Sequence, residues 1–151
     1  GELVDAWLSD QRVYSPEIMK RHVTLVLLSA VVLFAACSRD KGPDAGEVAG
    51  KTAKIYYDYL LKGKYVEFVD GFYRPEKIPD SYHAQLVENA KMFMAQQQEE
   101  HRGMARVEVE NVMADTVRHV ADVFLTICYK DSAKEQIAVP MIQKKGIWLM
   151  K

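Results

Sequence analysis

Cysteine is almost missing from this chain: Cys37 and Cys128 are the only two in 151 residues. They stand in unlike surroundings and form no C-x-x-C or Cys/His pattern, which excludes a disulfide framework and a zinc module. His83, His101 and His119 fall on separate predicted elements, so no metal-ligand spacing exists, and no cofactor-binding motif is present. An excess of one charge is lacking too, with 20 Lys and Arg against 21 Asp and Glu, scattered along the chain. A protein that grips phosphate backbones needs a concentrated positive face, so nucleic acid is not expected as a partner. Internal repeats and a second linker are also absent. The longest uncharged apolar run, residues 23–36, is brief. As a helix its 14 residues reach roughly 21 Å, short of a hydrocarbon core about 30 Å thick.

That run nevertheless has a context. Met19-Lys20-Arg21-His22 gives it a basic start, and Ala35-Ala36 put small residues before Cys37. A basic stub, an apolar stretch and a small-residue cut site are the parts of a secretory signal. Phe34-Ala35-Ala36-Cys37 resembles the bacterial lipobox, with Phe34 where leucine is usual. The resemblance implies cleavage before Cys37 and a lipid on its thiol. Each buried methylene contributes about 0.8 kcal/mol, so several acyl chains on one residue give firm attachment to a membrane. The sequence thus predicts a lipid-anchored protein of the bacterial cell envelope, facing the periplasm. Residues 1–18, with Glu2, Asp5, Asp10 and Glu17, read as an upstream extension or a start assigned too early. Setting residues 1–36 aside removes three bases and four acids and leaves 17 of each, a neutral mature protein. Residues 37–47 are polar, with Gly42, Pro43 and Gly46 as breakers, and read as a flexible tether.

The folded part is expected over 48–151. Val48, Thr52, Ile55, Tyr56, Tyr59 and Leu60 recur at helical spacing, and Gly63 ends that helix. A short helical piece spans 66–72. After the breakers Pro75 and Pro79, Asp80 or Ser81 caps a long helix to about Glu100, with a stripe of Tyr82, Leu86, Asn89, Ala90, Phe93 and Gln97. The period then falls to 2. Strands are expected at 105–110, 117–129, 136–143 and 147–150, with turns at 114–116, 130–132 and 144–146. Counting through the second strand puts Val117, His119, Ala121, Val123, Leu125, Ile127 and Tyr129 on one face, with Val120, Phe124 and Cys128 on the other. Pro140 cannot donate to a ladder, so the third strand should be an edge or bulged there. Helices followed by antiparallel strands define an α+β fold, N-terminal helices on a sheet of about four strands.

The exit of the first helix, Ala53-Lys54-Ile55-Tyr56-Tyr57-Asp58-Tyr59-Leu60-Leu61-Lys62-Gly63-Lys64-Tyr65, carries a resemblance. So do Leu125-Thr126-Ile127-Cys128-Tyr129-Lys130-Asp131 and Lys144-Lys145-Gly146-Ile147-Trp148. Together they make 48–151 similar to the nuclear transport factor 2-like superfamily, the cystatin-like α+β roll, and within it to small bacterial lipoprotein domains of unknown function. The resemblance implies a curved sheet, helices packed into it and a cone-shaped pocket. It implies little about function, because that fold hosts enzymes, adaptors and binding modules alike.

Within such a roll, Tyr56, Tyr59, Phe72, Tyr82, Phe93, Tyr129 and Trp148 would line an apolar cavity, the usual make-up of a small-molecule site, or form a plain aromatic core. His119 is the one ionisable side chain counted among the inward strand residues. The leading expectation is non-catalytic binding of a small apolar ligand or a protein partner. The rival is an isomerase or dehydratase using His119 as acid or base. A third reading is a structural domain that pairs with a second copy through the outer sheet face around Val120 and Phe124. Met92 and Met94 read as gap-filling core, and Cys128 as a semi-buried, inert thiol.

Overall fold

A computed structural model describes residues 44–151. The expected signal segment, Cys37 and residues 38–43 of the expected tether lie outside the described residues. The chain forms helix α1 (Ala45–Leu61), a short α2 (Tyr65–Asp70), a long α3 (Asp80–His101), and strands β1 (Met104–Asp115), β2 (Val120–Tyr129), β3 (Lys134–Lys144) and β4 (Ile147–Met150). The strands make one antiparallel sheet in the order β1-β2-β3-β4. The α+β architecture read from the sequence is the architecture observed. Among the described residues no helix is long and apolar enough to cross a membrane.

Helix α1 begins at Ala45, inside the stretch read as tether. Gly46, expected as a breaker, and Gly50 are contact points. A Cβ on Gly50 would fall 2.9 Å from Val112 Cγ2 and 3.3 Å from Val109 Cγ1, and one on Gly46 would reach Ala114 and Val112 at 3.6 Å. With Ala49 and Ala53, both fully buried, they form a small-residue face that lets the helix lie close on β1. The helix ends as expected. Gly63 takes a left-handed conformation, its N–H donates to the Leu60 carbonyl and the Lys64 N–H donates to that of Tyr59. That reciprocal pair satisfies two orphan carbonyls of the last turn.

Strand β1 runs further than its alternation predicted. It carries irregularities between Met104 and Arg106 and between Val109 and Asn111. Each extra residue shifts the pattern by one, which hides the continuation from a simple period-2 count. The turn into β2 is therefore 116–119, not 114–116. Pro140 sits opposite Asp122 within β3 without a bulge. Strand β4 pairs only with Met141–Lys144, so at Pro140 the side of β3 away from β2 is open to an edge, and its carbonyl accepts from the Lys151 N–H.

The inner face of the sheet supplies the core: Val107, Val123, Leu125, Ile127, Val139, Met141, Trp148 and Met150, packed with Ala49 and Ala53. A fully buried Leu or Met contributes about 1.5–3 kcal/mol through area removed from water. Met94 of α3 packs against this core, whereas Met92 is 67% exposed and fills no gap. On the outer face Cys128 is free and buried. Its neighbours in register and along the strand are polar: Arg106 donates to Glu108 at 2.6 Å, and Thr126 donates to Glu110 at 2.8 Å. Val120 and Phe124 on that face are half-buried.

Candidate functional site

The structure separates the aromatic residues that the sequence grouped. Trp148 is core, and Tyr56 is tied to it, donating its hydroxyl to the Trp148 carbonyl at 2.7 Å. Burial first, then the neighbouring Tyr59, raises the Tyr56 pKa. The ring packs against Gly71, where a Cβ would come within 2.6 Å of it. Tyr59 carries the Lys64 ammonium 5.9 Å from its ring centre. Tyr82 is about half exposed. None of these three tyrosines lines either of the clefts described below.

His119 is a correction. The strand starts one residue after it, and His119 occupies the turn with φ 56°, exposed, its Nδ1 3.4 Å from Gln143 Oε1. Alternation counted through the turn gave it an inward direction that a left-handed residue does not keep. It lies roughly 30 Å along the strand from Tyr129 and lines neither of the clefts described below.

Two clefts hold the remaining residues. The first, of about 580 Å³, opens between the C-terminal half of α3 and the inner face of β2 and β3. Tyr57, Phe93, Gln97, His101, Tyr129 and Glu135 are among its walls. Its polar groups answer one another. The Tyr129 hydroxyl donates to Glu135 at 2.6 Å, and the His101 ring stacks on that of Tyr129 at 4.2 Å while its Nδ1 meets Asp131 at 2.8 Å. Burial and then the Glu135 hydrogen bond push the Tyr129 phenol well above its ordinary value, so it stays protonated as a donor. Asp131 is held below the usual carboxylate range by the Ala133 N–H and then by His101. This network fastens the end of α3 to the β2–β3 turn, with the Lys130 N–H donating to Gly103 and the Asp131 N–H to His101.

The second cleft, of about 530 Å³, lies between α2, α3 and the segment after α2. Phe68, Val69, Phe72, Leu86, Ala90 and Phe93 give it an almost wholly carbon surface. The segment is fixed from behind. Phe72 bridges Met150, the Tyr73 N–H donates to the Met150 carbonyl and the Met150 N–H to that of Gly71. Phe68 meets the Phe72 ring edge-on at 5.4 Å and Tyr57 at 5.5 Å, so the aromatic wall is braced. Of the residues expected around a pocket, Phe72 and Phe93 are here, and Tyr129 and Phe93 are in the first cleft. Phe68, Leu86, Tyr57 and Arg74 were not singled out as lining. Their place depends on how α2 turns into α3, which no local pattern encodes. Among the described residues no cluster of acids, histidines and cysteines suited to a metal ion occurs.

A scan against protein-family models gives no match, and a search of curated proteins gives none. Among solved structures the domain is similar to a provisionally named NTF2-like transpeptidase from Campylobacter jejuni. The TM-score is 0.54 at 14% identity, over 65% of this chain and 92% of that one. At that identity the likeness establishes the fold. The fold of the domain is NTF2-like.

Proposed function

We propose that this protein is a lipid-anchored binding module of the bacterial cell envelope, whose NTF2-like domain takes a small apolar ligand in the cleft between α2 and α3. The observation that supports it best is the cleft itself: a braced aromatic wall left uncovered beside a packed core, within the roughly 300–1,000 Å³ typical of ligand sites. Catalysis is the weaker reading. The His119 base lies on an exposed turn, and Tyr129, Glu135 and His101 of the first cleft are already engaged in hydrogen bonds. Acyl transfer, as the name of the Campylobacter protein would have it, needs an accessible activated nucleophile. Cys128 is buried on the opposite face of the sheet and does not meet that need.

The anchor is supported by the segment from Met19 to Cys37. In cells given labelled palmitate, the wild-type chain should carry label and a Cys37→Ala variant should not. Label retained by that variant would remove the anchor. Ligand uptake is tested with the neutral fluorophore N-phenyl-1-naphthylamine. It should bind once per chain, and Ala90→Trp, which fills the cleft from α3, should abolish binding while circular dichroism stays unchanged. Absence of uptake, or uptake equal in a folded Ala90→Trp variant, would contradict the site.

A further inference from the structure

We infer that the ligand is an anionic amphiphile, a single-chain carboxylate whose head is held by Arg74. The inference rests on the cleft between α2 and α3 being the ligand site. The lining of that cleft includes two cationic residues, Arg74 and Lys151, and no acidic side chain. Arg74 is half-buried, and its guanidinium centre stands 6.0 Å from the centre of the Phe72 ring, the ring that forms the cleft wall. It forms no ion pair with any described carboxylate, unlike Lys51, Lys54, Lys91, Arg106 and Arg118. A third cation, Lys144, lines the adjoining cleft, its ammonium 5.2 Å from the ring centre of Tyr73. Arg74 also lines the adjoining cleft, where Asp70, Glu76 and Asp80 lie, but none of these forms an ion pair with it, and Asp70 is already held by His83 Nε2 at 2.8 Å.

The chemistry follows from this placement. A carbon-lined cleft takes a hydrocarbon tail, and a cation with a planar fork of donors at its wall takes a flat anion in bidentate fashion. The cation–π approach to Phe72, at 6.0 Å, keeps the guanidinium at the cleft wall, where it meets the head. A cleft of about 530 Å³ is sized for one acyl chain rather than two, so a free fatty acid fits better than a two-chain lipid.

The test displaces the neutral fluorophore from the full chain with dodecanoate and dodecyltrimethylammonium, each below its micelle concentration, and with dodecanol below its solubility limit. Dodecanoate should bind about tenfold more tightly than dodecanol, the scale of one charge-assisted hydrogen bond. Arg74→Gln should bring dodecanoate down to the dodecanol level and leave dodecanol where it was. Added salt should erode the preference in the wild type. Equal binding of dodecanoate and dodecanol, a preference for the ammonium, or an unaltered Arg74→Gln profile would overturn the inference and leave the apolar site standing. Failure of the fluorophore itself to bind would overturn the site and the inference together.

Discussion

Helices α1 and α3 are the two long helices of the domain, and they are seated in opposite ways. Over 17 residues α1 buries Gly46, Ala49, Gly50, Ala53 and Leu60, and it touches every strand of the sheet. Over 22 residues α3 buries only Ala90 and Gln97, leaving Tyr82, Met92 and Phe93 40–67% exposed. Small side chains bring α1 against β1 with no room to spare. Large ones keep α3 at a distance, held at its ends by α2 and by the His101–Asp131 contact. One helix makes the fold and the other borders the clefts, because space for a ligand exists where close packing was not achieved.

Enlarging the contact face of α1 should have the largest effect. Gly50→Leu drives a side chain into Val109 and Val112 and should cost about 1–3 kcal/mol despite the helix propensity gained, read from denaturant midpoints. A stability equal to wild type would mean that α1 does not lie as described. Next is Tyr56→Phe, which leaves the Trp148 carbonyl without its partner and should cost about 1 kcal/mol. Met92→Ala on α3 should stay within about 0.5 kcal/mol. In the same spirit, hydrogen exchange of α3 amides should report local opening well below the global stability that protects α1. Equal protection of the two helices would erase the contrast.

The smallest effect is in acid. Asp131 is more firmly an anion in the folded state than in the unfolded chain, so its contribution is present above the ordinary value of 3.8 and is lost as pH falls through the lowered folded value. Between about pH 5 and about pH 2 the melting temperature of wild type should fall slightly more than that of Asp131→Asn. Parallel curves would show that the α3 tether does not draw on this carboxylate.

Much of this fold was legible because local signals agreed. Gly63 marked the end of α1, Pro75 and Pro79 marked the break before α3, and Lys145-Gly146 marked the last turn. Errors arose where one residue served tertiary contact instead of local structure. Gly46 read as a linker because its role, admitting Val112 and Ala114, is visible only once β1 is placed. The bulge before Asn111 concealed five residues of β1, and the left-handed turn at His119 broke a parity that the count assumed. The site was less legible than the scaffold. Phe72 and Phe93 were nameable as aromatics, yet what they face is set by the path of residues 71–79 between two helices. That path is pinned by backbone hydrogen bonds to Met150, some 80 residues away in sequence, and backbone bonds leave no residue signature.

The most direct test is structural: isotope-edited nuclear Overhauser spectra of the full chain with protonated dodecanoate. Chain protons near Leu86 and the rings of Phe72 and Phe93, with Arg74 side-chain resonances shifted by the head, are the result this account predicts. Contacts confined to Val120 and Phe124 on the far face of the sheet, or none at all, would contradict it.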